Sequence, residues 1–144
     1  MIESRFESQE DREREKDTLS ILCGERGLRF ELLNELNPVD VALYDKDDKV
    51  VAYAEVKTYQ QCFAKAKPHI FISIRKLVSL QKVSRDNEVP SCMVYRFEDC
   101  IGYYFISEIE GATCGWDGRE AREGSVYDRE LVVHIPKTLL KTIK

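Results

Sequence analysis

Asp40, Glu55 and Lys57 stand inside otherwise apolar runs of the stretch NPVDVALYDKDDKVVAYAEVKTY, residues 37–59. A buried charge is costly unless it is paired, hydrogen-bonded or bound to a metal, so these three residues call for a partner. VDVALYD (39–45) and VVAYAEVK (50–57) read as two strands, rich in Val, Ala and Tyr, with the polar KDDK between them as the turn. In a turn symmetric about Asp47 and Asp48 the numbers of facing residues add up to 95, which sets Asp40 opposite Glu55. Facing side chains leave the backbone about 4.5–5.5 Å apart, where two like charges repel unless something positive lies between them. Two carboxylates at that spacing make a hard oxygen site suited to a divalent cation such as magnesium. Because strand side chains alternate, Lys57 shares a face with Glu55, and its ammonium would lie beside the metal, where it could offset charge building on a phosphate under attack by water. An exposed edge with ordinary ion pairs is the other reading of the same residues.

The elements around this hairpin follow from periodicity. Residues 4–26 suit a helix with a charged first half and apolar Leu19, Ile21, Leu22 and Cys23 near its end, closed by Gly27. LRFELL (28–33) is a short strand. After a loop holding Pro68, FISIRKLVSLQKVSR (71–85) places Ile74, Leu77, Val78 and Leu80 at helical spacing. SCMVYRF (91–97) and IGYYFISEI (101–109) are further strands, residues 110–128 a glycine-bearing loop, ELVVHIP (130–136) a strand and KTLLKTIK (137–144) a short closing helix. Runs of adjacent strands give hairpins and the strand-helix-strand crossover gives a parallel pairing, so the order predicts an α/β fold, a mixed central sheet with helices packed on it.

With 144 residues, 43% hydrophobic and 33% charged, the chain is expected to form one domain over 1–144. No apolar run approaches the roughly 20 residues of a membrane span, and the amino terminus resembles neither a signal nor a transit peptide, so no membrane partner and a cytoplasmic location are expected. Five cysteines without a CxxC pair, and only His69 and His134, lack zinc-ligand spacing; reduced, mostly buried thiols are expected. The net charge is -4, yet from Lys57 to Arg85 the chain carries Lys57, Lys65, Lys67, Arg75, Lys76, Lys82 and Arg85 and no Asp or Glu. Such a tract could attract a polyanion, because salt screens charges beyond about 8–10 Å; a solvated helix face is the alternative.

Taken together these residues resemble the PD-(D/E)XK nuclease superfamily, whose signature is an acidic residue at the start of one strand and (D/E)xK on its neighbour. Here these are Asp40, after Pro38 and Val39, and Glu55-Val56-Lys57. The order of elements over roughly residues 4–97 is similar as well. Val39 departs from the name-giving pattern, which has Pro next to Asp, but the proline has no chemical task. The resemblance, nearest to Holliday-junction-resolvase-like or phage-type endonucleases, implies a restriction-endonuclease-like core and metal-dependent phosphodiester hydrolysis. Asp40 and Glu55 would bind magnesium or manganese, and Lys57 would orient water and offset phosphate charge. Many members add a Glu on the first helix. In EKDTLSILCGERG this is Glu15, with Glu13 or Asp11 able to substitute. Lys65, Lys67, Arg75 and Lys76 are the candidates for contacts to a DNA backbone. No small-molecule cofactor is expected. One site cuts one strand, so double-strand cleavage or junction resolution would need a homodimer. A catalytically silent nucleic-acid-binding module and an RNA-directed nuclease share the same motif.

Overall fold

The computed structural model describes residues 9–34, 36–37, 39–66, 68–108, 113–118 and 129–143. The first helix, α1, runs Gln9–Arg26; Gly27, at φ 67°, takes the left-handed conformation that ends it. Strands β1 (Arg29–Leu32), β2 (Val41–Tyr44) and β3 (Val50–Thr58) follow, then β4 (His69–Ser73), helix α2 (Ile74–Asn87), β5 (Ser91–Arg96), β6 (Ile101–Phe105), β7 (Thr113–Gly118), β8 (Arg129–Pro136) and β9 (Lys141–Ile143). The central sheet has the order β1-β2-β3-β5-β6-β9, and β4, β8 and β7 form a second, three-stranded sheet. The β3/β5 pair is parallel, as the crossover through α2 requires, and the other pairs of the central sheet are antiparallel.

The hairpin has the expected register, with Val41 facing Ala54, Ala42 facing Tyr53 and Leu43 facing Ala52. It slips by one between Leu43 and Tyr44, where the ladder is irregular. The turn is therefore wider than KDDK alone. Asp45 Oδ1 accepts from the backbone N–H groups of Asp47 (2.8 Å) and Lys49 (3.0 Å), while Asp48 adopts φ 61°.

Three assignments change. Phe71–Ser73, read at the head of the amphipathic helix, belongs to strand β4, whose Ile70 and Ile72 are buried while its backbone pairs with β8. Thr113–Gly118 lies in the expected loop but forms β7; β8 supplies the backbone partners that glycine-rich composition did not advertise. The closing helix is absent: a single turn at Lys137–Leu139 leads into β9, which pairs with the otherwise open edge of β6. Gly102 makes that approach possible, since a Cβ there would lie 3.0 Å from Leu140 Cδ1. Residues 4–8, 109–112 and 119–128 lie outside the described residues.

The central sheet is covered on both faces. On one, Leu19, Leu22 and Cys23 of α1 pack on Val41, Leu43, Ala52, Ala54, Cys92 and Val94. On the other, Leu77 and Leu80 of α2 and Ile70, Ile72, Val133 and Ile135 of the small sheet enclose Met93, Tyr95 and Tyr104. Cys23, Cys62, Cys92 and Cys100 are free thiols, three of them buried. No helix among the described residues is long and apolar enough to cross a membrane.

Candidate carboxylate site

Asp40 sits one residue before β2, its backbone carbonyl accepting from Leu33 N at 2.8 Å. Because Val41 faces Ala54, the next position along the ladder brings Asp40 opposite Glu55. Asp40 is near enough to act on the ionisation of Glu55. Glu55 is only 5% exposed, and its pKa is pushed up to about 9, first by burial and then by Asp40, against the opposing pull of Lys76. Lys76, in the first turn of α2, donates from Nζ to Glu55 Oε1 at 3.2 Å.

The elements explain this convergence. Glu55 falls on the face of β3 that looks toward α2, because Ala52 and Ala54 alternate onto the α1 side. Ser73 Oγ accepts from Lys76 N at 3.2 Å and so starts α2 where Lys76 can reach back over β3. The helix is held to the sheet further on by Ser91 Oγ, buried and donating to Leu80 O at 2.8 Å.

Lys57 is half-buried, with its Nζ 4.1 Å from the Phe71 ring centroid and 5.4 Å from that of Tyr59. The expectation placed its ammonium on the Glu55 side of the sheet; Lys76 adds a further ammonium there, hydrogen-bonded to Glu55. Sequence reasoning counted Lys76 among the DNA-backbone candidates and did not connect it to Glu55. A signal existed: a crossover helix begins near the carboxyl end of the strand before it, where Glu55 lies.

Glu15 is half-buried on α1, the helix that covers the opposite face of the sheet. Among the described residues no group of three or more His, Cys, Asp or Glu side chains comes together, so Glu15 is not gathered with Asp40 and Glu55. Lys65 and Arg75 are exposed, while Lys67 and Pro38 lie outside the described residues. Gln60 and Gln61 are exposed loop residues. The backbone of Trp116 belongs to β7, and that of His134 to β8. A cleft of about 660 Å³ opens at the carboxyl ends of β3 and β5, lined by Glu13, Arg14, Asp17, Thr58, Tyr59, Gln60, Arg96, Phe97 and Glu98. It does not include the carboxyl pair.

The donor set fits a divalent cation. Glu55 is buried beside a second carboxyl group, and a doubly charged ion would supply counter-charge to both. Magnesium in particular is usually held by one or two carboxylates, its remaining positions going to water and substrate phosphates.

A mixed sheet with helices on its faces and an acidic pair at the head of the central hairpin defines a restriction-endonuclease-like fold of the PD-(D/E)XK type. Residues 1–143 match the family described as "Phage putative PDDEXK endonuclease", and the chain belongs to that family. Among solved structures the chain is similar to the Holliday junction resolvase Hjc of Archaeoglobus fulgidus, with a TM-score of 0.56 and 10% identity over 87% of this chain and 82% of that one. At that identity the likeness is one of fold. No curated protein sequence matches the chain.

Proposed function

We propose that the protein is a metal-dependent DNA endonuclease that acts on structured or branched DNA. The observation that carries this reading is the buried carboxyl group of Glu55 set against that of Asp40, on a fold and in a family of nucleases. Asp40 and Glu55 would hold magnesium or manganese. When bound, that ion would supply Lewis-acid activation of a phosphoryl group and charge stabilisation. Lys57, positioned over the Phe71 ring, would orient the attacking water and offset phosphate charge. Glu15 would act as an outer ligand only through a water or a shift of α1. Lys65 and Arg75, both exposed, would contact the phosphate backbone, giving salt-dependent affinity with little reading of sequence. One such site cuts one strand, so a junction or a double-strand break would require two copies of the chain.

One observation favours a second reading. With no third ligand gathered among the described residues, the fold could serve as a silent nucleic-acid-binding module. The test is incubation with linear, four-way-junction and single-stranded DNA and with RNA, under magnesium, manganese or chelator. Chelator-sensitive DNA cleavage by the wild type that is lost in Asp40→Asn and Lys57→Ala supports the nuclease. Binding without cleavage on every substrate supports the silent module, and cleavage of RNA alone redirects the substrate. Light scattering with and without junction DNA reads the number of copies.

A further inference from the structure

Lys76 is not part of the sequence motif, yet its ammonium is the one hydrogen-bonded to Glu55. Local helix energetics does not favour it there. The first turn of α2 carries Arg75 and Lys76 and no acidic residue, although the positive end of a helix disfavours cations. The two partners are also unequal in their attachment to the site. The Glu55 side chain is 6% exposed and enclosed, whereas that of Lys76 is 47% exposed, with four flexible carbons and water on one side. Glu55 cannot leave; Lys76 can.

The charges decide when it would. A cation bound at Glu55 and the Lys76 ammonium compete for the same carboxylate oxygen, Oε1. A divalent cation balances both carboxylates and leaves the cluster close to neutral, so the attraction that keeps Lys76 over Glu55 disappears. A substrate phosphate bound at the same ion brings the negative charge that Lys76 then lacks, within reach of its side chain.

We propose that the Lys76 ammonium holds the place of a divalent cation at the Asp40–Glu55 pair in the metal-free protein, and passes to a substrate phosphate once the pair is occupied. This rests on the nuclease reading above. It makes Lys76 a catalytic residue in addition to Lys57, supplied by the crossover helix. It also fixes a sign. Coupling between two ligands is reciprocal, so if the cation weakens the hold on Lys76, Lys76 weakens the hold on the cation. Once the protons that the metal displaces are counted, from calorimetry in two buffers of different ionisation enthalpy, removing the ammonium must tighten metal binding. A residue that merely braces Glu55 for the metal would do the opposite.

The experiment is calorimetric titration of manganese into wild type, Lys76→Met, Lys76→Arg and Asp40→Asn, each checked for folding by circular dichroism, with single-turnover junction cleavage at saturating manganese. Lys76→Met is expected to bind manganese about tenfold more tightly, the worth of one charge-assisted hydrogen bond, and to cleave about 100-fold more slowly. Lys76→Arg, which keeps the charge, should bind manganese within about threefold of wild type, on the same energy scale. Equal or weaker manganese binding by Lys76→Met overturns the place-holding, and unchanged cleavage overturns the transfer to phosphate. Should Lys76→Met fail to fold, Lys76→Gln gives the same reading. Wild type that binds no manganese overturns the metal site and this inference together, whereas wild type that binds and loses it in Asp40→Asn leaves any failure to Lys76 alone.

Discussion

On one side of β3, Ala52 and Ala54 lie under Leu19, Leu22 and Cys23 of α1 in an apolar layer, whereas on the other side Glu55 meets Asp40 and Lys76. The same nine-residue strand, Val50–Thr58, supplies both. Its alternation assigns even positions to the α1 face and odd positions to the α2 face, so stability and chemistry occupy adjacent residues without sharing neighbours. The α1 face gains by removing apolar surface from water, about 1.5–3 kcal/mol for a fully buried Leu. The α2 face accepts a buried carboxyl group, which burial alone would disfavour in its ionised form. Substitutions on the two faces should therefore separate folding from turnover.

The largest effect is expected from Asp40→Asn. It removes one of two facing acids and should reduce metal-dependent cleavage by about 1,000-fold or more, some 4 kcal/mol of barrier. Its melting temperature should stay near that of wild type, because Asn keeps the shape of Asp at a half-buried position. A variant that loses cleavage by unfolding would break the separation, and a thermal melt beside the cleavage assay reads both.

Next is Leu19→Ala, fully buried at 0% exposure on the other face. It should cost about 2–5 kcal/mol of stability in denaturant titration, through lost burial and the cavity left behind. Cleavage per folded molecule should stay near wild type at low temperature.

A third effect is a dependence on pH that belongs to the site face alone. The pKa of Glu55 is raised in the folded protein, so its contribution to stability is fully present below the unfolded value near 4.5 and is lost as pH rises through about 9. The melting temperature of metal-free protein should fall across that window relative to Glu55→Gln, which should lack this component. Magnesium added near pH 9 should recover it, since metal binding draws on the deprotonated carboxylates. A wild-type profile that tracks Glu55→Gln would show that Glu55 is not titrating as a buried acid.

The smallest effect is expected from Lys65→Ala, whose side chain is exposed on the short turn Phe63–Lys65. DNA affinity should drop modestly, and the slope of log affinity against log salt should lessen by about 0.9, the loss of one phosphate contact. A change in the cleavage rate at saturating DNA would instead place Lys65 at the reacting centre.

Asp40 and Glu55 could be paired from the sequence because the relation between them is local. The turn is one residue wider than KDDK, and the irregularity between Leu43 and Tyr44 offsets that residue, so the outer pairs keep the register of a symmetric turn. The parallel β3/β5 pairing was legible for a similar reason, since a helix between two strands leaves few ways to return. The edges were not legible. KTLLKTIK has no strong strand pattern, and it becomes β9 because β6 offers unpaired backbone groups that only the assembled sheet presents. The hydrogen-bond partner of Glu55 was beyond the sequence as well. Seven Lys and Arg residues lie between Lys57 and Arg85, all chemically able to pair with a carboxylate. Alternation brings Lys57 to the right face, yet its ammonium rests over Phe71, a residue of β4 that reaches it only after the chain has turned back. Lys76 reaches Glu55 across 21 residues of chain because α2 packs on the sheet with its first turn over β3. Neighbouring residues along a strand are positioned by the backbone itself; partners separated by a crossover are positioned by packing, which is a property of the folded whole.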